Sequence, residues 1–230
     1  MIPAKNHLIE LLPASDRLRL LGRCELVPLQ VSEVLDECGY HSGYAYFPAH
    51  AFITLLTQVD THTGMKVGMV GREGMLGIHL SLGVSLAAVR AVVQGAGSAW
   101  RIGAEAFKRE LAQSVPLQRI LHRYAHVSLT QLASSAACLR FHLICPRLAR
   151  CLLMSQDRAC SNTFHVTHEL LASMLGVRRV GITMAAGALQ RAGLIQYHRG
   201  ELTVLDRTGL EAAACSCYAS DQRAYAALLV

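Results

Sequence analysis

The chain has 230 residues, of which 52% are hydrophobic and 17% charged, and its mean hydropathy is +0.31. Disorder, which needs low hydrophobicity and high charge, is excluded for most of it. A spanning helix is excluded too: the longest stretch free of Asp, Glu, Lys and Arg, residues 38–59, contains Gly39, Gly43 and Pro48. The formal charge of +6 is unevenly spread. Residues 1–138 hold 12 basic against 10 acidic side chains and residues 139–230 hold 10 against 6, so the C-terminal part is the candidate for a polyanion partner.

Residues 1–12 carry Lys5, Asn6, His7 and Glu10 and no apolar run of signal-peptide length, so a soluble, cytoplasmic protein with no membrane partner is expected. Residues 8–21 read as a helical entry broken at Pro13. Short apolar or alternating segments follow at 25–29, 44–47, 52–58, 65–70, 90–94 and 99–102. Turn signals separate them at 37–39, 62–64 and 95–97. Strands this short and this evenly spaced predict a compact barrel or double-sheet roll.

The period then changes from two to that of a helix. Residues 104–113 start one helix, and Pro116 fits the first turn of a second. In the second, Leu117, Ile120, Leu121, Tyr124, Val127, Leu132 and Ala136 recur at steps of three and four. Ser134 to Ala137 are small enough for another helix to approach. This face is either a dimer seam or a surface packed on the chain's own barrel. Residues 148–154 continue helical after Pro146, residues 155–162 read as a polar turn, and residues 164–166 as a short strand. A boundary near residue 139 follows. The eight cysteines form no C-x-x-C pair, and Cys215 and Cys217 have one residue between them. Buried thiols are expected and no metal site.

From residue 167 the local signals agree on a helix-turn-helix. Thr167 is an N-cap with Glu169 just inside it. Leu171 and Leu175 share a face, Ala172 is small where a second helix must cross, and Gly176 stands in the turn. Val177, Ile182, Ala185, Ala188 and Leu189 give the second helix an inner face. Arg178 and Arg179 open it, with Gly181 and Thr183 on its outward side. Cations there oppose the helix dipole, so a phosphate outside the fold is the expected counter-charge. Gly193 ends the helix, and residues 194–197 and 202–205 form two strands around His198-Arg199-Gly200-Glu201, which makes a wing with Arg199 placed for phosphate.

Residues 167–179 and 187–195, with Tyr46-Phe47-Pro48 and the run 67–74, resemble the Crp/Fnr transcription regulators. The resemblance implies an α+β chain in three parts. These are a β-roll of the cyclic-nucleotide-binding type (a double-stranded β-helix, residues 1–115), a dimerisation helix (116–139) and a winged helix-turn-helix (140–230). It implies a homodimer reading an inverted-repeat operator in double-stranded DNA, with RNA polymerase and a small-molecule effector as further partners. Contacts carry over to Thr167, His168, Arg178, Arg179, Gly181, Thr183 and Arg199, with Arg179 at the guanine-reading position and the recognition helix near 178–191. Many members place glutamate next; this chain has Val180, so its operator should differ.

By the same resemblance Arg72, Glu73 and Arg90 are the candidate effector contacts. The phosphate cassette of cyclic-AMP binders departs here, because Arg72 follows Gly71, Glu73 comes one place late and Arg90 is followed by Ala91. Cyclic AMP is therefore not the expected ligand, and no cofactor is assigned. Only Cys24 and Cys38 lie in the first hundred residues, against an N-terminal iron–sulfur cluster, while His41, His50, His62 and His79 stay open as haem ligands. No G-x-S-x-G or H-E-x-x-H motif occurs and no enzyme is expected. The alternative is a small-molecule sensor whose winged part contacts protein.

Overall fold

The computed structural model describes residues 5–57 and 64–229. Two short helices, α1 (His7–Glu10) and α2 (Ala14–Leu21), meet at Pro13, and seven strands follow: β1 (Glu25–Leu29), β2 (Val34–Asp36), β3 (Tyr44–Pro48), β4 (Phe52–Thr57), β5 (Met65–Val70), β6 (Arg90–Gly95) and β7 (Gly97–Gly103). They form two antiparallel sheets, β1-β7-β3 and β2-β6-β4-β5. Alternation sends Leu29, Tyr46 and Ala99 from one sheet and Ile53, Val70, Ala91 and Val93 from the other into one core, which is the expected roll. The strand β2 and the single-turn helix α3 (Ile78–Ser81) are additions to the predicted elements; three or four residues are too few to show a period. His62 and the turn at 62–63 lie outside the described residues.

The helix α4 (Ala104–Gln113) leads into α5 (Val115–Phe141), close to the predicted 116–139. Ser114 caps α5: its Oγ accepts from the Leu117 amide at 3.1 Å and donates to Asp16 at 2.6 Å. The two readings of α5 divide along its length. Leu117, Ile120, Leu121, Tyr124 and Val127 are buried among Leu8, Ile9, Phe47 and Phe107, so this half packs on the roll. Leu132 and Ala136, read with them as one face, are exposed and do not pack on the roll. The inner face continues through half-buried Gln131, Ser134 and Ser135 to buried Cys138, and on the other face Leu129, Leu132, Ala133 and Ala136 form an open apolar stripe.

The helix α6 (Ile144–Ala159) is the spine of the C-terminal part, with Leu148, Ala149, Leu152 and Leu153 buried. It runs through the segment read as a polar turn. Several of its polar side chains find partners: Ser155 donates to the Cys151 carbonyl at 3.0 Å, and Arg158 pairs with Glu73 of the roll at 2.8 Å. The strand β8 (Thr163–His165) follows. Then come α7 (His168–Leu175), α8 (Arg179–Arg191), the hairpin β9 (Ile195–His198) and β10 (Glu201–Val204), and two helices that local signals did not mark, α9 (Arg207–Ala213) and α10 (Cys217–Leu228). The core of this part includes Phe52 and Met69 of the roll, and Ser173 of α7 donates to the Gly64 carbonyl at 2.9 Å. The last helix returns along α5, and Tyr225, Leu228 and Leu229 join Leu8 and Ile9. Among the described residues no single helix is long and apolar enough to cross a membrane.

Candidate nucleic-acid interface

Thr167 caps α7 by accepting from the Leu170 amide at 3.1 Å. Gly176 ends that helix at φ +60°, a conformation that costs a side-chain-bearing residue about 1–2 kcal/mol. Its amide and that of Val177 close onto Ser173 and Ala172 at 3.2 and 3.0 Å, and the chain direction turns by 108° into α8. Leu171, Ala172 and Leu175 pack against Ile182, Ala185, Ala186 and Leu189. Ala186 takes the buried place expected for Ala188, which is half-buried.

This packing determines which residues of α8 face outward. Arg178, Arg179, Val180, Thr183 and Met184 are exposed, and no side chain caps the helix start. Gly181 does not belong to this face. It is half-buried, and a Cβ there would lie 3.0 Å from Ile144, so it is the place where α8 passes close to α6. Met184, 71% exposed, was not singled out in the sequence; its one signal is an apolar residue between Thr183 and the inner Ala185. With Val180 it offers apolar contact of the kind that reads thymine methyl groups.

Arg179 forms an ion pair with Glu169 of α7 at 2.7 Å, both side chains well exposed. Thr183 donates to the Arg179 carbonyl at 3.2 Å, and its Oγ1 lies 3.2 Å from His168 Nδ1. The His168 ring stacks on Tyr197 of β9 with centroids 4.5 Å apart, and the Tyr197 hydroxyl donates to the Val166 carbonyl at 3.0 Å. Burial pushes the Tyr197 hydroxyl above the usual phenol range. His168 thus links α8 to the β9–β10 hairpin, while Thr167 caps α7. Arg199 (φ 49°) and Gly200 (φ 87°) form the two-residue turn of the β9–β10 hairpin, and Arg199 is exposed.

Of the three candidate effector contacts, Arg72 and Glu73 line one cavity and Arg90 stands apart. Glu73 Oε1 binds Arg158 of α6 at 2.8 Å and accepts from the Gly71 amide at 3.1 Å. Arg90, at the start of β6, pairs with Glu37 at 3.3 Å, and Arg72 is exposed. The histidines weighed as haem ligands are likewise separate: His41, His50 and His79 each hydrogen-bond a different serine (Ser85, Ser98 and Ser42) at 2.9 Å. Of the cysteines, Cys138, Cys151, Cys215 and Cys217 are buried and Cys38 and Cys160 exposed.

Residues 146–213 match the family model of the Crp-like helix-turn-helix domain. No curated protein matches the chain. Its fold is that of solved Crp/Fnr structures. FixK2 from Bradyrhizobium japonicum aligns with a TM-score of 0.71 at 12% identity, over 84% of this chain and 98% of that one. The c-di-GMP-responsive global regulator CLP of Xanthomonas campestris aligns at 0.67 and 16%, over 84% and 99%. A CRP-family transcriptional regulator from Thermus thermophilus aligns at 0.68 and 17%, over 82% and 96%.

Proposed function

We propose that this chain, Crp/Fnr-type in its fold and in its helix-turn-helix domain, is a homodimeric, sequence-specific DNA-binding transcription regulator. The observation that carries the reading is the outward face of α8. Two arginines, a hydroxyl and two apolar side chains stand exposed at the start of a helix that the fold holds by its other side. Such a helix presents its N-terminal residues to base edges in the major groove. Arg179 reads a guanine edge, Val180 and Met184 meet thymine methyls, and Arg178 and Arg199 take phosphates.

The open stripe on the second half of α5 supports the dimer. Leu129, Leu132, Ala133 and Ala136 recur at the spacing of a helix–helix seam, and small residues allow close approach. Two α8 helices related by a two-fold axis would then read half-sites about 34 Å apart, so the operator is an inverted repeat. On this reading residues 1–115, 116–139 and 140–230 serve as roll, dimer helix and reader. The engagement of Glu73 and Arg90 with Arg158 and Glu37 argues against a cyclic nucleotide as effector.

Selection of genomic fragments on the purified protein, repeated with and without cyclic nucleotides, tests the reading. The expected result is one inverted-repeat motif, enriched equally in both conditions. Enrichment of no motif, with a protein partner captured instead, would transfer the winged part to protein contacts.

A further inference from the structure

Four metal-ligating side chains meet where the end of α5 lies against the start of α10. Cys138 stands in the last turn of α5 and His142 caps it four residues on, while Cys215 and Cys217 flank the N-cap Ser216 of α10. Cys138 Sγ lies 3.5 Å from Cys215 Sγ, and Cys217 Sγ lies 3.6 Å from His142 Nδ1. All four ligand atoms fall within 4.8 Å of one another. Tetrahedral zinc, with bonds of about 2.3 Å to sulfur and 2.0–2.1 Å to nitrogen, needs ligand-to-ligand edges of roughly 3.5–3.8 Å. Two edges already have that length, and a contraction of about an ångström or less closes the others.

The surroundings suit an ion. The three cysteines are buried and His142 is half-buried, so the histidine side leaves an entry path. Three thiolates and a neutral imidazole leave a divalent ion one negative charge in excess, and the buried Arg150 guanidinium, held by Asp221 and Ser135, places a positive charge near Cys138. A disulfide would use two of the donors and leave the imidazole and third thiol without a role. Thiolate-rich tetrahedral sets select zinc-class ions over magnesium or calcium.

We propose that Cys138, His142, Cys215 and Cys217 form a Cys3His site for a zinc-class divalent cation, tying the C-terminal helix to the end of the long helix. All four ligands lie outside the segment that matches the helix-turn-helix family, two before residue 146 and two after residue 213. The clamp sits at the joint where α5 passes into α6, and the buried Arg150–Asp221 pair at 2.6 Å joins α6 to α10 beside it. Metal occupancy would thus set how firmly the winged part is held against the long helix.

The test is anaerobic titration of the reduced, full-length protein with Co2+, then with Zn2+. The expected result is thiolate-to-cobalt charge transfer with tetrahedral d–d bands, saturating at one ion per chain and lost on adding Zn2+. His142→Gln and a Cys215→Ser/Cys217→Ser double variant should weaken binding by more than the roughly 10–100-fold that loss of an outer partner costs. Cys160→Ser should leave it unchanged. Circular dichroism checks that each variant folds, and His142→Gln, altered at a half-buried position, serves if the double variant does not. Absence of the tetrahedral spectrum in folded wild type, or unchanged affinity in His142→Gln, would overturn the site. So would a Cys138–Cys215 disulfide as the state of protein purified without oxygen.

Discussion

The guanidinium of Arg179 rests 2.7 Å from the carboxylate of Glu169, and this pair bridges the two helices of the helix-turn-helix on its open side. An exposed ion pair is worth about 0–1 kcal/mol, so DNA can take Arg179 from Glu169 at small cost. Glu169 itself is well placed, because a carboxylate in the first turn of α7 is favoured by the helix dipole. The pair holds the arginine extended over the face where a base edge would arrive. Arg179→Ala is expected to cost about 1–3 kcal/mol of specific binding and to relax preference at one operator position. Gel shifts on operator and random DNA check it, and equal loss on both would remove Arg179 from base reading. Glu169→Gln should strengthen binding to both DNAs slightly, since a carboxylate facing phosphates is gone.

Arg199 is expected to act through charge alone. It stands exposed in the two-residue turn at the tip of the wing. Arg199→Ala should reduce the slope of log K against log salt by about 0.9 while leaving the selected motif unchanged. A shift in motif would assign the wing to base reading.

The seam on α5 predicts a charge-sensitive dimer. Leu129 is 65% exposed in the single chain, so replacing it does not open the monomer core. Leu129→Asp should weaken dimerisation by at least about 100-fold, because association would bury an unpaired carboxylate. Sedimentation velocity reads the mass, and helical content should be unchanged. A dimer that survives the change would move the interface elsewhere.

Glu73 is expected to contribute to stability and not to ligand binding. Arg158 is buried beneath it and donates to the carbonyls of Met154 and Met69 at 3.0 and 3.4 Å. Glu73→Gln leaves the guanidinium without its counter-charge and should cost about 1.5–3 kcal/mol, read from denaturant midpoints. If Glu73 instead held an effector, the variant would lose ligand response at unchanged stability.

Burial lowers the pKa of His79, with the Asp36 carboxylate acting in the opposite sense. A depressed value means the fold favours the neutral ring, so its contribution is complete above about pH 6.5 and is lost as pH falls through the folded-state value. Burial raises Asp36, whose protonation in acid works the other way. Between pH 7.5 and 5.5 the wild type should therefore lose more stability than His79→Gln. Parallel losses in paired urea titrations would show that His79 does not titrate with unfolding.

Much of the reader was legible because its signals are local. The Thr167 cap, the Gly176 turn and the alternation of β9 and β10 each depend on contacts within a few residues, and the structure has them where the sequence places them. The failures share a cause. Gly181 reads as outward by its spacing in α8, but Ile144 of α6 decides its face. Leu132 reads with Leu117 and Val127 as one face, yet it lies five residues from Val127, about 140° round the helix, and the inner face passes instead through Ser135 to buried Cys138. Residues 155–162 read as a turn because they are polar; 160–162 are one, but 155–159 stay helical, with Arg158 paired to Glu73 and Ser155 donating to a backbone carbonyl.

The succession from short strands to a long helix to a winged helix-turn-helix, and the arginines at the head of α8, were written in the chain itself, because caps, turns and periods act over one or two turns of backbone. Which distant groups meet was left to the packing. Glu73 was drawn to Arg158 and not to Arg90, Arg179 was set against Glu169, and Cys138 and His142 were brought to Cys215 and Cys217. Such meetings depend on how helices from opposite ends of the chain pack, and spacing along the sequence carries no record of that.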